Sequence, residues 1–339
     1  MRKIILVVAF GLSVYFLISR FRELQSVVGT LQRGEINFII AALLLVFVWY
    51  VNMAVTYRAI YQIVGLNESI GRLFLLSIGA YFANIVAPVA GMSGIAMFVN
   101  DGRNRGFSTA RVTVATAMYI LFDYIGFLVV LTLGLAVLAR RNELDWAEIS
   151  ASIILVIIAL GITVLLYLGA RSGPTLGRVL ARIARLVNNV ARPFIHREYL
   201  SIERAHSFAL EASEGLSALQ TSPSYWIKPF ILALNNKAIL ITIMMMVFLA
   251  FHQPFTSGTI IAGFSIGYLF LIVSPTPSGI GVVEGIMTLG FTSLRVPFSA
   301  AAVIVLAYRG ITFWFPLLPG LVAFRFISRE NELAQKSSS

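Results

Sequence analysis

Three ionisable residues stand inside long apolar runs of this chain: Asp123, Glu284 and Arg309. An ionised side chain at bilayer depth costs at least about 2.5 kcal/mol, so such residues face a cavity or a partner. Two chemistries fit them. Asp123 and Arg309 have opposite signs and can form a buried ion pair that locks two parts of the chain together. Alternatively Arg309, with Glu284 as its gate or counter-ion and Asp123 balancing charge, receives an anionic headgroup such as a phosphate. A planar guanidinium suits that task because it grips phosphate oxygens in a fork and stays charged.

Two interruptions lie close to these charges: Ala87-Pro88-Val89-Ala90-Gly91-Met92-Ser93-Gly94 and Ser274-Pro275-Thr276-Pro277-Ser278-Gly279-Ile280-Gly281. Hydrocarbon cannot satisfy an open backbone, so broken helices at membrane depth survive only buried in protein or lining a polar cavity. Each break is expected to leave N–H groups unpaired at the start of its second arm, near Ser93-Gly94 and Ser278-Gly279. Such ends carry partial positive charge and can hold an anion. The plainer alternative is a pair of tight turns packed on neighbouring helices.

The elements that position these residues follow from composition. Of 339 residues, 58% are hydrophobic and 12% charged, with a mean hydropathy of +0.88. A soluble domain has about a quarter of its residues charged, so the chain reads as an all-α polytopic membrane protein. Helices of about 20 apolar residues span the hydrocarbon, and full-length candidates fall at 3–19, 36–56, 109–139, 149–170, 229–251 and 298–324. The run at 3–19 follows Arg2-Lys3 without a small-x-small cleavage site, so it reads as a retained span. The interrupted segments at 73–99 and 259–293 are expected to be re-entrant hairpins. Loop arginines place the first on the cytoplasmic side, with the second entering from outside and both termini cytoplasmic. Hairpin plus long span thus occurs twice in opposite senses, about 57–139 and 252–324, as an inverted-topology repeat within one domain, 1–330. Tyr119 and Tyr308 stand at matching distances after the two hairpins.

Between the repeats, 171–228 is a cytoplasmic linker. Leu176, Val179, Leu180, Ile183, Val187 and Val190 recur at helical spacing, with Arg178, Arg182 and Arg185 on another face. Such a helix either lies on an anionic membrane surface or packs against the bundle. A second helix is expected at 199–220 and a disordered tail over 331–339. Lys237, beside Asn235 and Asn236, is expected to snorkel to the cytoplasmic surface.

Enzyme signals fail. Gly91-Met92-Ser93-Gly94 fits the G-x-S-G of intramembrane serine proteases, but His196, His206 and His252 all lie in the linker or at a membrane edge. No metal motif, Walker A or dinucleotide fingerprint occurs. The reading is therefore a non-enzyme without cofactor or metal. Cysteine is absent, so no thiolate chemistry is available. The net charge of +11 sits in short loops between apolar spans, which points to membrane orientation rather than nucleic acid.

The second half closely resembles the C-terminal signature of the lysylphosphatidylglycerol synthase transmembrane-domain family. The matching residues are Pro275-Thr276-Pro277-Ser278-Gly279-Ile280-Gly281-Val282-Val283-Glu284, Val296-Pro297, Tyr308-Arg309, Phe313-Trp314-Phe315-Pro316 and Gly320. Asn84, Pro88, Gly91, Gly106, Ser108 and Asp123 resemble its N-terminal signature. The resemblance implies a flippase-like fold that handles aminoacylated or polyisoprenoid-linked lipids, with Glu284 and Arg309 as polar intramembrane positions. It also implies a stand-alone member, without the soluble aminoacyl-transfer domain of bifunctional relatives. The resulting expectation is ATP-independent flipping of an anionic or aminoacylated phospholipid in the plasma membrane. Arg309, Glu284, Asp123, Asn84, Ser93, Gly94, Ser278, Gly279 and Tyr308 would form the binding site, and a separately encoded lipid-modifying enzyme would be a partner. The alternatives are an accessory protein for a glycosyltransferase using polyisoprenyl-phosphate sugars, and a small-solute transporter.

Overall fold

The computed structural model describes residues 21–86, 92–191, 202–216, 224–274 and 276–337. The expected span at 3–19 and residues 87–91 of the first interruption lie outside them. A short amphipathic helix, α1 (Phe21–Leu31), leads into α2 (Ile36–Ile63). Helices α3 (Ile70–Val86) and α4 (Met92–Asn104) flank the first interruption and precede α5 (Thr109–Arg140). Next come α6 (Trp146–Arg171) and the linker helices α7 (Gly173–Ala191) and α8 (Ile202–Leu216). The second half begins with α9 (Ser224–Ala250) and α10 (Ser257–Val273), which ends at the second interruption. It continues with α11 (Val282–Ser293), α12 (Phe298–Arg309) and α13 (Leu317–Ser337). A π-helical turn, Gly310–Trp314, joins α12 to α13. Among the described residues there is no strand.

Five units are long and apolar enough to cross a membrane: α2, α5, α6, α9 and the continuous α12–α13 segment. They coincide with the five expected spans that the described residues cover. The helices around the interruptions are shorter, at 17, 13, 17 and 12 residues for α3, α4, α10 and α11. At 1.5 Å per residue that is about 26, 20, 26 and 18 Å, less than a hydrocarbon core of roughly 30 Å.

Packing crosses between the two halves. The first arm of each interrupted pair lies on the long segment that follows the other pair, α3 on α13 and α10 on α5. Glycine closes both seams. A Cβ at Gly320 would stand 2.8 Å from the Phe82 Cβ, and one at Gly134 would stand 2.3 Å from the Ser265 Oγ. Helices in lipid associate through such close backbone approach, because apolar burial alone gives them no drive.

The two pairs open toward opposite ends of α5. At its N-terminal end, Arg72 near the start of α3 is ion-paired with Asp101 near the end of α4. At its C-terminal end, Arg141 donates to the Leu294 carbonyl just past α11 and to the Thr256 Oγ1 that caps α10, both at 3.3 Å. Each pair then turns into its long helix through the same closure. The Phe107 N–H reaches Gly102 O at 2.8 Å and the Val296 N–H reaches Phe291 O at 3.0 Å. The preceding residues, Gly106 and Arg295, are both left-handed, with φ of 78° and 70°.

Three expectations change. The stretch between the expected spans at 3–19 and 36–56 is not a plain connection but contains α1, which packs Val27 against Gly310. The chain past Glu330, read as a disordered tail, continues as α13 to Ser337. Glu330 supplies Arg72 with a second carboxylate there, and Asn331 is buried. The linker helices form close to their expected ranges, but α8 also packs on α5 and α6. Leu176, Ala181 and Ala184 of α7 are buried while Ile183 and Leu186 remain exposed beside Arg182 and Arg185. The buried face of this helix packs against the rest of the protein.

Candidate intramembrane polar site

A cavity of about 220 Å³ lies among α2, α3, α5, α9, α10 and the α12–α13 segment. Its walls include Asp123, Asn236, Tyr268, Tyr308 and Arg309, with Trp49, Tyr81 and Thr312 closing one side. Asp123 and Arg309 therefore share one chamber, but each has its own partner. The locking pair between them does not form.

Asp123 is held by side chains. Its Oδ1 accepts from Lys237 Nζ at 2.6 Å and from Asn236 Nδ2 at 3.0 Å, and its Oδ2 accepts from the Tyr268 hydroxyl at 2.8 Å. Lys237 also donates to that hydroxyl at 2.6 Å, and its side chain is 0% exposed. This corrects the snorkelling expectation. The lysine turns into the bundle because a buried carboxylate on α5 gives its charge a partner that would otherwise cost more unpaired. Asn235 and Asn52 extend the polar seam between α9 and α2. Asn235 Nδ2 donates to Asn52 Oδ1 at 2.9 Å, and Asn52 Nδ2 donates to the Leu232 carbonyl at 3.0 Å.

Arg309 is held partly by backbone. Its Nε donates to Glu284 Oε1 at 2.7 Å, and its Nη2 donates to the Ser278 carbonyl at 2.9 Å. The Glu284 Oε2 in turn accepts the Gly281 N–H at 2.7 Å. The second interruption takes this shape because Ser278, Gly279 and Gly281 all have positive φ, of 50°, 71° and 80°. Glycine adopts that region without the Cβ penalty that Ser278 bears. The guanidinium, lying over the Phe313 ring at 4.5 Å, pins the turn. A guanidinium has five N–H donors, so three remain beyond these two bonds, and Arg309 also lines the cavity.

The expected free N–H groups at the two breaks are partly occupied. Gly94 N–H donates to Asn84 Oδ1 at 2.6 Å, so Asn84 caps α4 from the preceding helix. Gly279 N–H donates to Thr276 O at 3.0 Å. Asn84 and Gly94 line a second cavity, about 150 Å³, whose walls share Met53, Tyr81 and Tyr119 with the first. The expected site residues therefore divide. Asp123, Tyr308 and Arg309 line the larger chamber and Asn84 and Gly94 the smaller, while Glu284, Ser278 and Gly279 stand behind Arg309. Ser93 lines neither.

Several residues here escape sequence reasoning. Lys237 and Tyr268 complete the Asp123 cluster. Tyr81 donates its hydroxyl to the Thr312 carbonyl at 3.1 Å, which Pro316, four residues on, has no N–H to satisfy. A proline inside the last span was the visible signal for that polar contact. Two cavity residues also retain unpartnered polar atoms among the described residues, Trp49 Nε1 and Asn236 Oδ1. Two carboxylates and two cations leave the chamber's formal charge balanced, with a donor-rich wall at Arg309 and Trp49 and acceptors at Asp123 and Asn236. Among the described residues no group of three or more His, Asp or Glu could hold a metal.

The family described as the Lysylphosphatidylglycerol synthase TM region matches this chain over residues 4–320. No curated protein gives a significant match.

Proposed function

We propose that this chain, which belongs to the lysylphosphatidylglycerol synthase TM-region family, translocates a phospholipid between leaflets without ATP. It does so as a transporter rather than an enzyme, in the plasma membrane with cytoplasmic termini. The headgroup is anionic or aminoacylated. It passes through the central chamber while the acyl chains stay in lipid, and a separate lipid-modifying enzyme supplies it.

The observation that carries this reading is the mid-span chamber bearing Asp123 and Arg309, each charge balanced by its own partner. A headgroup that brings both a phosphate and an ammonium fits this chamber: the ammonium can replace Lys237 at Asp123, while Arg309 keeps its own partners and offers its three remaining N–H donors. The phosphate meets Arg309 and the Trp49 N–H, and the ammonium meets Asp123 and the Asn236 carbonyl. Prior pairing lowers the cost of keeping these charges at depth. The short interrupted helices support a re-entrant arrangement. So does the crossed packing of α3 on α13 and α10 on α5, with the pairs opening toward opposite ends of α5. An inverted-topology repeat brings its binding site to the midplane at the repeat interface.

Reconstitution tests the reading. Proteoliposomes carrying fluorescent phosphatidylglycerol or its aminoacyl ester should lose outer-leaflet and then inner-leaflet signal to a membrane-impermeant reductant faster than protein-free vesicles. Asp123→Asn should slow this about tenfold, the loss of one charge-assisted contact worth about 1.4 kcal/mol. Wild-type protein that leaves the inner-leaflet pool protected, like empty vesicles, contradicts it.

A further inference from the structure

We infer that Trp49, Tyr50 and Tyr81 form a lateral partition that holds the ester region of a diacyl lipid, headgroup inside and acyl chains outside. This rests on the translocation reading and adds its route and its ligand chemistry.

Outside the polar chamber lies an apolar groove of about 500 Å³, lined among others by Leu44, Phe47, Phe74, Ile78 and Phe315. The same three elements line groove and chamber a residue or a turn apart. On α2, Tyr50 lines the groove and Trp49 the chamber. On α3, Ile78 lines the groove and Tyr81, one turn later, the chamber. On the last span, Thr312 lines the chamber and Phe315 the groove. Trp49 and Tyr81 on the chamber side and Tyr50 on the groove side meet there. The Trp49 and Tyr50 rings are 4.8 Å apart, and the Tyr81 ring stands edge-on to them at 6.3 and 6.1 Å.

The partition carries two buried donors without partners among the described residues, Trp49 Nε1 and the Tyr50 hydroxyl. Trp49 is 8% exposed and Tyr50 2%. A donor left unpaired at such depth is costly, and a native structure retains one chiefly where something else binds it. A ligand that accepts but does not donate, and that belongs half in a polar space and half in an apolar one, fits both atoms. The ester carbonyls and phosphate oxygens of a diacyl lipid have that chemistry, and a soluble anion lacks the chains that would fill the groove. Tyr81, the third ring, is tied to the Thr312 carbonyl at the π-helical turn. π-turns recur at functional sites.

Photolabelling of the full chain in liposomes with a phosphatidylglycerol that carries a diazirine on its acyl chain tests the inference. Adducts should concentrate on Leu44, Phe47 and Phe315 over Ile157 and Leu160 of α6, which are about as exposed as Leu44 and Phe47. Tyr50→Phe should lower the groove yield about threefold, as expected for one lost hydrogen bond, with a melting temperature no lower than wild type. Trp49→Phe should do the same through the other donor. Adducts spread evenly over α6 and the groove overturn the inference. So do wild-type groove yields in both variants. Labelling reads occupancy without movement, so a chain that labels as expected but fails to scramble lipid contradicts only the translocation reading.

Discussion

The chamber's two ion pairs are built differently. Lys237–Asp123 is a cluster of side chains from three helices, with Tyr268 and Asn236 completing it. Arg309–Glu284 is a clamp on main chain, since both partners also hold backbone groups of the second interruption. The first pair can change its contacts without moving a helix, whereas the second cannot let go without releasing the turn at Ser278–Gly281. One side of the chamber is therefore a replaceable charge and the other is part of the scaffold. The two interruptions differ in parallel. A neutral cap, Asn84 to Gly94, closes the first, and its charges, Arg72 with Asp101 and Glu330, sit at its far end.

Substitutions sharpen this contrast. The largest effect is expected from Asp123→Ala, which strands Lys237 as a buried unpaired cation and should cost about 3–5 kcal/mol. It would be seen as a lowered melting temperature and loss of monodispersity in detergent. Adding Lys237→Met should recover most of that stability while translocation stays at least about tenfold slow, because the charge itself is then missing. A double variant as unstable as the single one would place the cluster's contribution in packing rather than charge. Arg309→Lys retains the charge but loses the fork, and should cost about 1.5–3 kcal/mol through the lost bond to Ser278 O or Glu284. Hydrogen exchange at the Gly279 and Gly281 N–H groups should rise with it. If Arg309→Lys leaves that turn protected, the clamp description fails. Asn84→Ala removes one helix cap, worth about 1 kcal/mol, and should shift thermal unfolding least.

Much of the architecture was legible in the chain because hydrocarbon imposes such strong rules. Five of the six expected spans lie on described helices, and both interruptions flank short helices. Glu284 as a counter-ion to Arg309 could be anticipated, since the two are the opposite charges on adjacent segments around the second break. Lys237 could not be placed the same way. A span read from Pro229 puts it about a third of the way in, but α9 starts at Ser224 and puts it in the middle. Pro229 lies inside the helix, one turn past its start, so taking it as the first residue misplaced the boundary. The pairing of Asp123 with Lys237 rather than Arg309 depends on which faces of α5, α9 and α12 meet, and periodicity cannot supply that when all faces are apolar. The aromatic partition was hidden for a similar reason, because tryptophan and tyrosine within a span resemble ordinary core.

Cysteine accessibility gives the most direct test of the central claim, that two broken helices enter from opposite sides and enclose a hydrated chamber. The chain has no cysteine of its own, so single replacements report cleanly. Thr109→Cys and Ser299→Cys stand at the exposed starts of α5 and α12, just past each interrupted pair. Thr312→Cys lines the chamber. The account predicts that an impermeant thiol reagent labels the first from one side of sealed vesicles and the second only from the other. It also predicts that a small water-soluble reagent reaches the third. Labelling of both starts from the same side, or a Thr312→Cys inert to every aqueous reagent, would contradict it.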